Sequence, residues 1–287
     1  MQFPIRQLPP EDFPELLKEI PDKPKMLYIR GELPPADYKM LCVVGSRSCT
    51  AYGKRMTQKL IAGLAGMPVA IVSGMALGLD AEAHRAALDV GLPTIAVLPS
   101  SLDAASIYPS ANHTLAEEIL KRGGALVSEN KAPFIAMIHS FPQRNRVAAG
   151  MSKATLIIEA GEKSGTLITA RLALDYNREV LGIPHELERP SGMGVNRLLR
   201  EGATLVRNSD DILQVLGLKP SDKPVQAMLP TDLTEQEYKL LAILVEPLLQ
   251  DELIEQAGLS AQETNIALSS LLIRGLILER LGKIERA

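Results

Sequence analysis

Two short segments of this chain combine glycine, hydroxyl and cationic residues as a phosphate-binding loop does, and a third sets two arginines at a helix start. Gly45-Ser46-Arg47-Ser48 joins an apolar run to a helix that starts near Tyr52. Glycine lets a ligand approach the backbone, serine donates hydrogen bonds, and arginine forks onto two phosphate oxygens. The helix N-terminus adds a partial positive charge. A ligand-free tight turn is the plainer alternative here. Lys163-Ser164-Gly165-Thr166 is the best anion cradle, with a point charge, two hydroxyls and a helix N-terminus. Phe141-Pro142-Gln143-Arg144-Asn145-Arg146 puts two arginines around Asn145 where Pro142 starts a helix. Such cations are costly to bury, so they should meet an anion. That anion is either a ligand or an internal network with Glu129 or Glu159.

A further loop, Ser73-Gly74 through Gly78-Leu79-Asp80, gives another tight strand-to-helix crossing, with His84 one turn above Asp80. The pair could act as a general base, but a helix-capping Asp80 with a structural His84 reads better, because no nucleophile is tied to it. Gly45 is not followed by a GxGxxG pattern, so the usual NAD fingerprint is missing. The Lys163 loop departs from GxxxxGK[ST], and the four histidines (His84, His113, His139, His185) are scattered. Cofactors, bound metals and catalytic residues are therefore expected to be none.

The elements that must hold these loops alternate along the chain. Apolar, β-branched runs at 41–44, 69–72, 94–98, 125–127, 155–158 and 179–183 read as buried strands. Helical patterns lie between and after them, at 52–66, 80–90, 112–122, 142–152, 166–177 and 193–200. This alternation predicts an α/β, doubly wound, Rossmann-like, mostly parallel sheet. In such sheets ligands bind beyond the carboxyl ends of the strands, where the loops above fall. Residues 1–40 are Pro-rich and are expected as an N-terminal strap, with Tyr28-Ile29-Arg30-Gly31 leading into the first strand. The main domain is expected over 41–217 and a linker with Pro220, Pro224 and Pro230 over 218–231. Residues 232–287 read as a small winged helix, with helices at 234–245, 250–257 and 261–274 and a hairpin over 276–284 turning at Gly282.

A hydrophobic content of 46% with 23% charged residues is that of a folded globular chain and excludes global disorder. No apolar run approaches the roughly 18 residues that cross a bilayer, and no signal-peptide core is present. Two cysteines, Cys42 and Cys49, give no disulfide framework, so a cytoplasmic location is expected. The net charge of −3 hides an asymmetry: residues 231–287 carry ten acids and five bases, which leaves residues 1–230 at +2. Residues 41–60 hold Arg47, Lys54, Arg55 and Lys59 with no acid, and residues 140–153 hold Arg144, Arg146 and Lys153 with none. Those patches suit a polyanion, whereas the acidic C-terminal segment suits a protein contact or a regulatory role better than duplex reading.

In order along the chain, these motifs resemble the bacterial DNA-processing protein A family (DprA/Smf). The resemblance rests on Gly45-Ser-Arg; Ser73-Gly-x-Ala-x-Gly-x-Asp80 with Ala83-His84; Tyr108-Pro109; Phe141-Pro-x-Arg-Asn-Arg146; Lys163-Ser-Gly-Thr through Arg171; and Gly194-x-Asn196 with Gly202-Ala203. It covers about residues 20–215. It implies an extended Rossmann-type protein that binds single-stranded DNA without sequence preference, dimerises, and helps load a RecA-type recombinase in natural transformation. The DNA contacts it implies are Gly45, Ser46, Arg47, Gly74, Arg144, Asn145, Arg146, Lys163, Ser164, Gly165 and Thr166. Two departures stand out: Leu77 where the family usually has Arg, and His185 where it usually has Gly. With about forty residues before the first strand, the helical N-terminal domain of some members is not expected. Rival readings are a phosphoribohydrolase-like enzyme and a nucleotide sensor. Against the first, Gly161-Glu-Lys-Ser-Gly165-Thr166 lacks the PGGxGT proline and the helix from Leu167 to Asp175 has no Glu.

Overall fold

The five central strands that fall between residues 39 and 157 are apolar almost throughout because both faces of their sheet are covered. The computed structural model describes residues 3–219, 233–244, 247–274, 276–280 and 282–286. Its contacts divide the chain into two units, Met1–Val225 and Gln226–Ala287.

In the first unit the elements run β1 (Arg6–Leu8), α1 (Glu15–Glu19), β2 (Leu27–Gly31), β3 (Lys39–Val44), α2 (Ala51–Ala62), β4 (Val69–Ser73), α3 (Leu79–Asp89) and β5 (Thr94–Val97). They continue with α4 (His113–Lys121), β6 (Ala125–Ser128), α5 (Ser140–Met151), β7 (Ala154–Ile157), α6 (Thr166–Asp175), β8 (Glu179–Gly182), α7 (Met193–Arg200), β9 (Thr204–Leu205) and α8 (Ser209–Leu216). The nine-stranded sheet has the order β1-β2-β6-β5-β4-β3-β7-β8-β9. The run from β6 to β9 is parallel, while β2 pairs antiparallel with β6 and β1 antiparallel with β2.

Alternate side chains of β3 serve opposite layers, as the two-residue strand period requires. Cys42 and Val44 pack with Leu17, Val147, Ala170 and Val195 from α1, α5, α6 and α7. Leu41 and Val43 pack with Leu60, Ala83 and Leu213 from α2, α3 and α8. This is the doubly wound arrangement expected from the alternation. β3 pairs with β4 on one side and β7 on the other, so the chain moves outward from β3 to β6 and then returns to start a second wing. Strand order therefore reverses between β3 and β7.

Residues 1–40, expected as an extended strap, instead supply two strands and a helix to this sheet and its core. Leu17, Leu27 and Ile29 are fully buried. α1 lies so close on α5 that a Cβ at Gly150 would come within 2.9 Å of Ile20. The prolines conceal this: Leu27 and Ile29 alternate as a half-buried strand requires, but over only five residues. α8 and the two-residue β9 add to the elements that periodicity predicts, and α8 carries its own start and stop signals. The Asn208 side chain accepts from the Asp211 N–H, and Gly217 closes the helix at a φ of 74°.

Of the linker expected over 218–231, residues 220–231 lie outside the described residues. The second unit comprises α9 (Glu235–Ile243), β10 (Leu248–Leu249), α10 (Gln250–Ala257), α11 (Ala261–Ile273), β11 (Ile277–Arg280) and β12 (Lys283–Arg286). Its antiparallel sheet has the order β10-β12-β11. Leu240, Leu253, Leu268, Leu271, Ile277 and Ile284 form its core. Capping boxes start α9 at Thr234/Glu237 and α11 at Ser260/Glu263.

Candidate nucleic-acid interface

Loops from both wings meet at the carboxyl ends of β3 and β7, the place where open α/β sheets bind ligands. Gly45 follows β3 and lies against α3, where a Cβ would fall 2.4 Å from Leu79 Cδ1. The Leu79 N–H donates to the Ser46 carbonyl at 3.2 Å. Gly78, at a φ of 78°, has no room for a side chain beside the Ser46 and Arg47 carbonyls. The Ser46 hydroxyl accepts from the Ser48 N–H at 3.2 Å and donates to the Ser48 carbonyl at 3.0 Å. This closed turn leaves Arg47 exposed at its tip, with the guanidinium carbon 5.2 Å from the centre of the Phe141 ring. A guanidinium over an aromatic face keeps its hydrogen-bonding edge outward.

An open cleft of about 420 Å³ lies beside this turn. Its walls include Gly45, Ser46, Arg47, Arg144, Asn145 and the Ser164-Gly165-Thr166 stretch at the start of α6. The Thr166 N–H bonds to the Ser164 hydroxyl at 3.2 Å, which shapes that end of the cleft. Lys163, the preceding residue, is exposed and does not line the cleft.

The two arginines of α5 have different surroundings. Arg144 is buried and bridges the carboxyl ends of β4 and β5. Its Nη1 donates to the Val97 carbonyl at 2.7 Å and to the Gly74 carbonyl, and its Nε donates to Asn145 Oδ1 at 3.0 Å. Gly74 is required there, because a Cβ would overlap the guanidinium. Asp80 supplies the opposing charge: burial pushes its carboxyl up, and Arg144 pulls it back down. Arg144 is thus a wall of the cleft whose charge is largely met from within. Arg146 is not among the cleft residues. It is engaged by Glu129 and by Asp22, whose carboxylate lies 3.9 Å from Nε. The internal network considered from sequence exists for Arg146 and Glu129, whereas Glu159 takes a different role.

Glu159, fully buried just past β7, accepts from the Thr50 N–H at 3.0 Å and from the Thr50 hydroxyl. Thr50 is the N-cap of α2 and accepts from the Gly53 N–H at 3.1 Å. A Cβ at Gly53 would lie 2.6 Å from the Glu159 carboxyl carbon. The helix N-terminus after the first parallel strand, where a dinucleotide's pyrophosphate sits in this fold, is therefore occupied by the protein's own carboxylate.

The Asp80 and His84 side chains each bond other groups. Gly78, not Asp80, is the N-cap of α3, and Asp80 accepts from the Ala76 N–H at 3.4 Å. His84 is fully buried, with Nδ1 2.7 Å from the Thr94 hydroxyl. Burial, with help from nearby Arg144 and Arg85, pushes its imidazole down to about 3. The unfolded chain, near 6.5, therefore takes up a proton that the folded chain refuses. Stability from this residue is complete above pH 6.5 and falls on acidification by about 1.4 kcal/mol per pH unit until the folded value is reached. His84→Gln is expected to flatten the decline between pH 7 and pH 5, measured by urea unfolding at each pH. A variant with the wild-type slope would show that His84 does not carry it.

Sequence reasoning missed one group of site residues. Tyr108 and Phe141 stack edge-to-face with centroids 5.7 Å apart, and Leu77 is half exposed beside them. With Arg47 they line a small pocket next to the cleft. Tyr108 and Phe141 each precede a proline in the motifs quoted above, but neither carries the charge that marks a phosphate contact. The His185 loop is held by Asn196, whose side chain accepts from the His185 N–H at 3.1 Å and donates to its carbonyl at 3.0 Å. The imidazole itself reaches the Ile158 carbonyl at 2.8 Å.

Comparison with known proteins matches residues 6–217 to the family model described as DNA recombination-mediator protein A. The Smf protein of Escherichia coli is 39% identical over 219 residues, which cover 75% of this chain and 58% of the relative's length. Synechocystis Smf is 33% identical over 94% of this chain and 77% of its own length. Among solved structures, the DNA processing protein A of Streptococcus pneumoniae aligns with a TM-score of 0.68 at 34% identity, covering 75% of this chain and 74% of that one. The Helicobacter pylori protein, described for its single-stranded DNA binding mode, aligns with a TM-score of 0.66 at 34% identity, covering 75% and 96%.

Proposed function

This chain belongs to the DNA recombination-mediator protein A family, and from that membership and the cleft we propose that it binds single-stranded DNA without sequence preference, protecting incoming DNA and helping to load a RecA-type recombinase. The observation that carries this reading is the exposed Arg47, set over Phe141 at the mouth of a cleft that also receives the start of α6. Arg47 binds phosphate through its fork, and Ser46, Ser164 and Thr166 supply hydroxyls beside it. Counterion release then provides most of the affinity, independent of base identity. Phe141 and Tyr108 offer one base a stacking surface, and the contact is short because the chain has no Trp. Arg144 and Gly74 serve by shaping the wall, and Lys163 contributes at longer range. Two copies held together would multiply a short contact, so the working form is a homodimer. The protein acts in the cytoplasm and without catalysis. In support of the latter, His84 is tied to Thr94, and the α2 N-terminus, where a nucleotide's phosphates would rest, is filled by Glu159. Among the described residues, no helix is long and apolar enough to cross a membrane. The second unit, read as a winged helix from its element order, contacts protein rather than duplex.

The decisive experiment titrates fluorescent single-stranded and double-stranded oligonucleotides at two salt concentrations. Tighter binding to the single strand, weakening linearly in log–log form with salt, is the expected result. Equal affinity for both forms, or no salt dependence, would remove the reading. Leu77 provides a gain-of-function check, since it is exposed beside Arg47 where the family usually places Arg. Leu77→Arg should tighten single-strand binding about tenfold through one charged hydrogen bond, and steepen the salt slope by roughly 0.7.

A further inference from the structure

The segment between β6 and α5, which leads into Phe141, exposes three large apolar side chains. Ile135, Met137 and Ile138 are 74%, 53% and 92% exposed. Ordinarily such residues would be turned inward, and here the loop that carries them is pinned rather than frayed. The Phe134 N–H donates to the Ser101 hydroxyl at 2.8 Å, and the Ser101 N–H returns a bond to the Phe134 carbonyl at 3.0 Å. At the other end the Met137 N–H donates to the Ser140 hydroxyl at 3.0 Å. Ile138 stands three residues before Phe141, over which Arg47 lies, so the chain runs directly from the apolar segment into the aromatic site. The exposed cations near it are Lys131, within the segment itself, and Arg47, over the Phe141 ring.

Aliphatic side chains displayed beside cations call for a ligand that is anionic along one line and apolar along another. Single-stranded DNA has that character, because its base faces are open to contact. Duplex DNA buries those faces in its stack, and an ordinary protein surface does not present a continuous anion. We propose that Ile135, Met137 and Ile138 form a base-contacting ridge that extends the strand's path beyond Phe141 and selects single strands over duplex. The proposal rests on the reading of the cleft as the single-strand site.

The test uses the full chain with Ile135→Ser, Met137→Ser and Ile138→Ser combined, titrated with oligothymidylate and with an abasic oligonucleotide of equal length. The expected result is a loss of about tenfold on oligothymidylate, the lower end of what burying one such side chain is worth. Affinity for the abasic strand, the salt slope and the melting temperature should stay at wild-type values. Equal losses on both oligonucleotides would overturn the proposal, since bases would then not be what the ridge contacts. So would unchanged oligothymidylate binding together with lost self-association in sedimentation, which would make the ridge an interface between copies. Arg47→Glu run in parallel separates the two readings. If it abolishes binding while the ridge variant behaves as wild type, the ridge falls and the cleft stands; if it too binds normally, the cleft falls and the ridge with it.

Discussion

Arg144→Ala should lower the unfolding free energy by about 3–5 kcal/mol, the cost of leaving a buried charge without its partner. The loss has three sources in the structure. Asp80 would keep its carboxyl in a buried site with no cation to oppose it, and the carbonyls of Gly74 and Val97 would each lose a donor. All of these groups are buried in the intact chain. The pH dependence identifies the cause. Without Arg144 the Asp80 carboxyl moves further above its unfolded value near 3.8, so the folded state holds a proton more tightly than the unfolded chain. Stability is then regained as the pH falls toward 4, and the gap between variant and wild type narrows in acid. Urea unfolding at pH 7.5 and pH 5 measures both effects. A loss below about 1 kcal/mol, within the range of ordinary surface changes, would mean that this charge is not structurally held.

Arg47→Glu should have the largest effect on DNA. Arg47 is exposed at the tip of a turn closed by Ser46, so its replacement leaves the fold intact. Removing one charged hydrogen bond weakens binding about tenfold, and reversing the charge at the same spot brings the loss to roughly a hundredfold at moderate salt. Every single-stranded sequence should weaken alike, and the salt slope should fall by roughly 0.7 for each lost contact. Lys163→Ala should weaken binding less, since Lys163 stands off the cleft wall. Wild-type affinity in Arg47→Glu would leave the cleft without a function.

Much of this architecture is legible from residue order because buried parallel strands and amphipathic helices leave different periods. The strand at 69–72 and the helices at 193–200 and 250–257 are readable within a residue or not at all shifted. The N-terminal strands are harder to read. β2 is only five residues long, and its antiparallel partner β6 lies about a hundred residues away, so its burial depends on pairing that no local window contains. The site divides in the same way. Gly45 and Arg47 announce a turn with a cation at its tip, and that is what forms. Arg144 and Arg146 look equivalent in sequence, yet they point in different directions around one helix. Arg146 finds Asp22, more than a hundred residues earlier, and Arg144 finds two strand-end carbonyls. Chemistry set by distant backbone atoms leaves no mark on neighbouring residues. Phe141 is hard to read for the opposite reason, because an aromatic at a helix start resembles core until its exposure is known.

The carboxylate of Glu159 in the seat at the head of α2 has a consequence for competition. Dissolved ATP, GTP or NADH would find that berth taken by a tethered rival present at far higher effective concentration than any metabolite. A free nucleotide can therefore compete with a DNA strand only at the cleft around Arg47, and not at the head of α2.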